Sequence, residues 1–556
     1  MEKVWLKHYP EGVPTDIDPN QYRSIVDLFQ RSVQQFSTLP AFSNMGSTLT
    51  YAQADELTRQ FAAYLTHEVQ LKPGDRIAIM MPNLLQYPIA LFGALRAGLV
   101  VVNTNPLYTA NELEHQLKDS GAKAIIIIAN FAHVLEKVVA RTEVKTIITT
   151  EVGDLMGGFK SLLVNFVVRY IKKMVPPFSL PQAIKLKQAL KLGKQQLATY
   201  QDPPVTQEDI AFLQYTGGTT GVAKGAVLTH RNMIANLLQA SSWVGHYLEE
   251  GKETFITALP LYHVFALTAN ALFAVELGAH NILVTNPRDV PTFLKDLKRQ
   301  PFTFITGVNT LFNLLLNSKG IEQVDFSKLK IALGGGMAVQ EAVAKRWKAL
   351  TGVVLLEAYG LTETSPAVCI NPVTLTEYNG MIGLPLSSTD ISVRDLEGKE
   401  LDIGEAGELW IRGPQVMREY WQRPTETAKV LTADGWLKTG DVAIINEDGF
   451  VKLVDRLKDM VLVSGFNVYP NEIEDVLAAH PKILESGVIG VKDEHSGEIV
   501  KAFIVKKDPS LTVEEVQQHC RELLTSYKRP KQIVFVDSLP KSNVGKILRK
   551  ELRHLS

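Results

Sequence analysis

Ile210-Ala211-Phe212-Leu213-Gln214-Tyr215-Thr216-Gly217-Gly218-Thr219-Thr220-Gly221-Val222-Ala223-Lys224-Gly225-Ala226 is the stretch on which the reading of this chain turns. It opens on a short apolar run with the pattern of a strand. From Tyr215 on, four glycines, three threonines and one lysine are packed into twelve residues. Glycines let backbone N–H groups turn inward on an anion, hydroxyls add donors, and a lysine supplies a point charge. That is the chemistry of a phosphate cradle. It differs from the G-x-x-x-x-G-K-[ST] loop, because Lys224 lies between Ala223 and Gly225.

Outward from the loop, strand-like and helical patterns alternate. Upstream, Arg76-Ile77-Ala78-Ile79-Met80-Met81 ends at Pro82-Asn83, and a helical pattern runs from Leu84 to Ala97 before Gly98. Leu99-Val100-Val101-Val102, a helix over Asn111–Gly121 and Ala124-Ile125-Ile126-Ile127-Ile128 follow. Continuous β-branched runs separated by helices predict parallel strands in a covered sheet. Downstream the alternation resumes at Phe255–Leu259, Asn281–Val284, Phe302–Ile305, Ile331–Leu333 and Val353–Leu356. From about Gly380 to Asp455 short strands sit between glycine turns, the texture of a small antiparallel, barrel-like unit. The last hundred or so residues are of a size for a separate lid.

Bulk properties narrow the partners. The 556 residues allow about three or four folding units, with 46% hydrophobic and 21% charged residues for an ordinary globular core. A formal net charge of -1 gives no whole-chain field to recruit nucleic acid, so anion sites must be built locally. Cys369 and Cys520 form neither a metal spacing nor a disulfide framework, which fits a reducing compartment. The first ten residues lack the apolar core of a secretory signal, so the expected location is cytoplasmic. Nothing reaches the roughly 18–20 apolar residues of a spanning helix. Residues 159–175 are apolar and cationic without an acidic residue. Two readings fit them: a peripheral helix on the inner face of the cell membrane, or a surface helix packed on its own domain.

The phosphate loop resembles that of the adenylate-forming superfamily, and nearly the whole chain is similar to its acyl-CoA synthetases, above all to bacterial long-chain fatty acid–CoA ligases. The resemblance implies an α/β fold. Its large N-terminal domain, 1–455, would hold two doubly wound α/β subdomains and a small β-barrel-like subdomain, and a small mobile C-terminal α+β lid would span 456–556. It implies ATP binding by Tyr215, Thr216, Gly217, Gly218, Thr219, Thr220, Gly221, Val222, Ala223, Lys224, Gly225 and Ala226. Ala358-Tyr359-Gly360-Leu361-Thr362-Glu363-Thr364 is similar to a second motif, in which Tyr359 would lie against adenine, Thr362 reach phosphate and Glu363 hold Mg²⁺. A triphosphate needs a divalent ion, and a hard oxygen ligand suits it.

Thr439-Gly440-Asp441 resembles the ribose motif, with Asp441 accepting from both hydroxyls, and Arg456 matches an arginine to ribose and phosphate. Lys458 matches the hinge, about which the lid would rotate to present Ser464-Gly465-Phe466 to CoA. His263, in Leu259-Pro260-Leu261-Tyr262-His263, would position the acid. Thr306, Gly307 and Gly335 would wall the acyl pocket. Lys546 matches the adenylation lysine, a preplaced ammonium for the charge that develops at the α-phosphate. Its basic neighbours Lys541, Arg549 and Lys550 read as solvated cations. The implied reaction converts a long-chain fatty acid, ATP and CoA to acyl-CoA through an acyl-adenylate, releasing AMP and pyrophosphate. The acceptor could instead be a carrier-protein thiol, and the acid medium-chain. A non-catalytic acyl-binding protein is the other class, and Lys546 argues against it. Family dimers leave a homodimer open.

Overall fold

The computed structural model describes residues 2–216, 223–493, 495–542 and 545–555. Two large sheets dominate. One has seven strands, in the order Ile184–Lys185, Thr146–Thr150, Ala124–Ile128, Arg76–Met80, Val100–Asn103, Ile210–Thr216 and Lys224–Thr229. All pairs are parallel except the last, where Ile210–Thr216 turns back on Lys224–Thr229 around the phosphate loop. The apolar runs fill its core: Ile77, Ile79, Val101, Ile125, Ile126 and Ile127 have no exposed surface. Helices end where glycine was expected, with Gly121 left-handed at the close of Ala110–Ser120.

The second sheet has nine strands, with a parallel centre of Leu355–Gly360, Ile331–Gly335, Phe304–Gly307, Thr254–Thr257 and His280–Leu283. Four antiparallel strands, Asp390–Arg394, Gly407–Arg412, Leu437–Ile445 and Val451–Arg456, form the smaller unit expected there. Strands Val461–Val463, Phe466–Val468, Ile483–Asp493, Gly497–Lys506 and Gln532–Phe535 make a separate C-terminal sheet with its own apolar core. Lys458 lies in the turn between these two small sheets.

Among the described residues no helix is long and apolar enough to cross a membrane. The 159–175 segment forms a helix, Gly158–Phe166, that continues in a wider turn through Val167–Ile171. It rests in part on its own domain: Ser161 is buried, and Val164 and Val168 pack against the core of the large domain. Its larger apolar side chains nevertheless look outward: Phe159 is 77% exposed, Leu162 68%, Phe166 54%, Tyr170 63% and Ile171 64%. Polar side chains add to these anchors: Asn165 accepts from Gly153 N–H at 2.7 Å, and Arg169 pairs with Glu151.

Candidate active site

The described flanks of the phosphate loop are firmly held. Gly217, Gly218, Thr219, Thr220, Gly221 and Val222 lie outside the described residues. Thr216 ends the incoming strand, and Ala226 is buried in the outgoing one. The Tyr215 hydroxyl donates to Asp119 at 2.8 Å, and burial beside that carboxylate drives its pKa far up. Arg423 pairs with the same carboxylate, and the Tyr215 ring faces Gly225, where a Cβ would come within 3.1 Å. Tyr215 thus props the base of the loop. The Ala223 carbonyl accepts from His115 at 3.0 Å. Lys224 Nζ stands 2.8 Å from Glu426 and 4.8 Å above the Tyr420 ring.

Tyr420 links the loop to the second motif, because its hydroxyl donates to Glu363 at 2.5 Å. Glu363 lies in the single turn Thr362–Thr364, directly after strand Leu355–Gly360. Gly360 makes that turn feasible: a Cβ there would stand 2.0 Å from the Pro366 carbonyl. One Glu363 oxygen is fixed by Tyr420. The second is the donor a divalent cation would need, so the site fits magnesium chemically.

Tyr359 and Asp441 are both buried, and the Tyr359 hydroxyl donates to Asp441 at 2.6 Å. Arg456 Nε lies 3.5 Å from the other Asp441 oxygen. Burial raises the Asp441 pKa, while Arg456 and the Tyr359 hydroxyl pull it back. The aromatic and the carboxylate, 82 positions apart in the chain, form one wall.

Lys546 enters this wall from the C-terminal tail. Gly545 reaches it with φ +85°, a Cβ there would meet Thr310 Oγ1 at 2.8 Å, and its carbonyl accepts from Thr310 at 3.0 Å. The Lys546 side chain passes Gly336, within 3.2 Å of where a Cβ would stand. Burial, then the Arg456 charge, lowers its pKa to about 8, against the attraction of Asp441 and Glu363. His263 faces the same ammonium, and burial and that charge bring its imidazole down to about 3. It is neutral at pH 7. Its Nδ1 accepts from Phe265 N–H at 3.4 Å, which assigns the proton to Nε2.

The structure corrects the reading of the tail's other cations. Arg549 is not solvated: its side chain is 13% exposed and bonds Asp455, Asn471 and Glu474. Lys541 pairs with Glu485 at 2.6 Å. Of the residues expected to wall the acyl pocket, Thr306 gives its hydroxyl to Asn270 at 2.7 Å in a buried polar cluster. Gly307 packs on Phe312, and Gly335 on the Phe265 ring. Sequence reasoning missed Asp119, Tyr420 and Glu426, since each acts on a motif residue far away in sequence, and Asp455, whose partner Arg549 lies 94 positions on. A lone tyrosine or carboxylate gives no signal of that.

Comparison with known proteins agrees with this arrangement. The AMP-binding enzyme family matches residues 29–421, and the AMP-binding enzyme C-terminal domain matches 472–546. A long-chain-fatty-acid–CoA ligase of Yersinia pestis is 59% identical over 553 residues, 100% of this chain and 98% of the relative. One from Escherichia coli O157:H7 is 58% identical with the same coverage. A crystal structure of an anthranilate CoA ligase with anthranoyl-AMP superposes with a TM-score of 0.86 at 24% identity, over 97% of this chain and 99% of that one, a likeness of fold. With these full-length matches, the chain belongs to the AMP-binding enzymes, the adenylate-forming acyl-CoA synthetases.

Proposed function

We propose that this enzyme activates long-chain fatty acids, joining acid and ATP into an acyl-adenylate and then passing the acyl group to CoA. The carrying observation is the convergence of Lys546 on the wall built by Asp441, Arg456, Glu363 and His263. Full-length relatives named for this activity support the substrate assignment. In this reading the phosphate loop and Lys224 grip the triphosphate, with Glu426 vacating Lys224 as phosphate arrives. Tyr359 lies on adenine and Asp441 and Arg456 hold the ribose. Thr362 meets phosphate, and Glu363 holds Mg²⁺, which would draw its other ligands from phosphate and water. The neutral His263 Nε2–H orients the acid, while the Lys546 ammonium stabilises charge at the α-phosphate. Thr306, Gly307 and Gly335 border the acyl side. Residues 1–455 form the adenylation domain, and 456–556 a lid that turns about Lys458 to admit CoA. An ATP- and CoA-dependent assay over acids of graded length, with pyrophosphate and AMP measured, tests it. Pyrophosphate without thioester would favour a carrier thiol, and no release with any acid would sink the ligase.

The enzyme works, on this proposal, at the inner face of the cell membrane, with Gly158–Phe166 and its continuation lying on lipid. The support is a set of outward apolar side chains in a cation-rich stretch: residues 155–201 carry eight lysines and arginines and no acid, three of them (Arg169, Lys187 and Lys194) paired with acids from elsewhere. Co-sedimentation with vesicles rich in anionic lipid is expected, and should be lost in F159D/F166D and weakened by salt. Equal binding by that variant would refute the lipid face. Sedimentation of the lipid-free protein tests the homodimer. Self-association lost in the same variant would give the face to a second copy.

A further inference from the structure

The lid bearing Lys546 touches the N-terminal domain through several polar contacts. Thr310 donates to the Gly545 carbonyl at 3.0 Å, Asn313 to that of Leu484 at 3.0 Å, and Arg288 to that of Ser542 at 3.3 Å. The Glu341 N–H donates to Asp475 at 3.2 Å. One more contact differs in kind. Asp455, 1% exposed, is the last but one residue of the final strand of the antiparallel unit, three residues before the proposed hinge. One of its oxygens accepts from Arg549 at 2.8 Å and from the Arg456 N–H at 2.7 Å; the other accepts from the Asn471 N–H at 2.9 Å. A buried carboxylate on one side of the hinge is therefore satisfied by a guanidinium and an amide from the other side.

The partners of Arg549 divide unequally. Glu474 binds it through two bonds, at 2.8 and 3.2 Å, and Asn471 accepts from it at 2.6 Å; both belong to the lid and travel with it. Asp455 alone among these three belongs to the N-terminal side. Glu474 in turn accepts from the Val488 N–H at 2.8 Å, so the guanidinium is preset whether or not it meets Asp455. Swinging the lid would strip Asp455 of two donors and leave Arg549 with its own. Arg549 also stands three residues after Lys546, on the tail that carries the ammonium. And Asp455 holds the backbone of Arg456, whose charge faces both Asp441 and Lys546.

We propose that Asp455 and Arg549 are a pair of positioning residues, a latch that holds the lid with Lys546 in the adenylation cleft and must open before the thioester step. The proposal rests on the two-step reading above. Removing either charge takes away an attraction that exists only in the closed arrangement, so that arrangement loses population in proportion. Asp455→Asn keeps the shape, but sets an amide N–H₂ against the donors of Asn471 or Arg549. Arg549→Gln is the second variant and leaves the antiparallel sheet untouched.

Two readouts test the latch. The half-reactions are measured separately, as pyrophosphate release and as thioester formation from supplied acyl-AMP. In both variants the first should fall about tenfold or more, the scale of a hydrogen bond to a charged group, while the second holds. Asp455→Glu should recover part of the first. Independently of turnover, the rate of Lys546 modification by an amine-reactive probe, followed by mass spectrometry in the nucleotide-free protein, should rise in both variants. Equal loss of both half-reactions, or unchanged Lys546 labelling, overturns the latch. If wild-type protein releases no pyrophosphate with any acid, the ligase reading fails, and the labelling result alone decides the latch.

Discussion

Replacing Lys546 with methionine should destroy adenylation and, in the nucleotide-free protein, stabilise the fold. The lysine is held at a pKa of about 8 against an ordinary 10.5, chiefly by burial and then by Arg456. At pH 7 the closed arrangement therefore bears the cost of a poorly solvated ammonium. That shift converts to about 3 kcal/mol, and because the residue keeps some exposure, about 1–3 kcal/mol is the working range. Methionine keeps most of the stem's packing and removes the charge. The pH dependence has a definite sign. Between pH 8 and 10.5 the unfolded chain binds the proton and the folded one does not, so wild-type stability rises with pH across that window. The advantage of Lys546→Met is then full below pH 8 and gone above 10.5. Urea unfolding at pH 7 and pH 10, beside pyrophosphate release at pH 7, measures all three quantities. A variant less stable at pH 7, or a difference that does not shrink by pH 10, would refute the buried-ammonium argument. Retained adenylation would refute the role.

Three further substitutions separate parts of the site. Tyr420→Phe leaves the ring beneath Lys224 but removes the donor to Glu363; the magnesium concentration for half-maximal pyrophosphate release should rise about tenfold, as for other partners that orient a metal ligand. Gly545→Ala forces a side chain into φ +85° and against Thr310, and should cut adenylation at least as far as the latch variants without lowering the unfolding free energy by more than about 1 kcal/mol. Lys458→Pro should spare pyrophosphate release and cripple thioester formation, since a fixed φ blocks the turn the lid requires; parallel loss of both steps would count against the hinge.

Local physics made much of this protein legible in advance. Apolar runs such as Ala124-Ile125-Ile126-Ile127-Ile128 can satisfy themselves only inside a covered parallel sheet, and they are found there. Glycines at 98 and 121 marked turns that other residues would strain, and both have positive φ. The motifs carried the family through their resemblance to it, and the family comparison agrees. What the chain could not disclose was partnership at a distance. Arg549 looked like one more solvated cation in a basic tail, since burial is a property of what covers a residue, and Asp455 and Glu474 lie 94 and 75 positions away. The 159–175 helix shows the converse. Its composition announced an apolar, cationic helix but could not say which apolar side chains would face out, because orientation is fixed by the polar anchors Glu151 and Gly153 together with the packing of Val164 and Val168. Sequence determined the chemistry each segment can perform. Only the tertiary structure decided which segments meet, and therefore which charges are paired, buried or left for a partner.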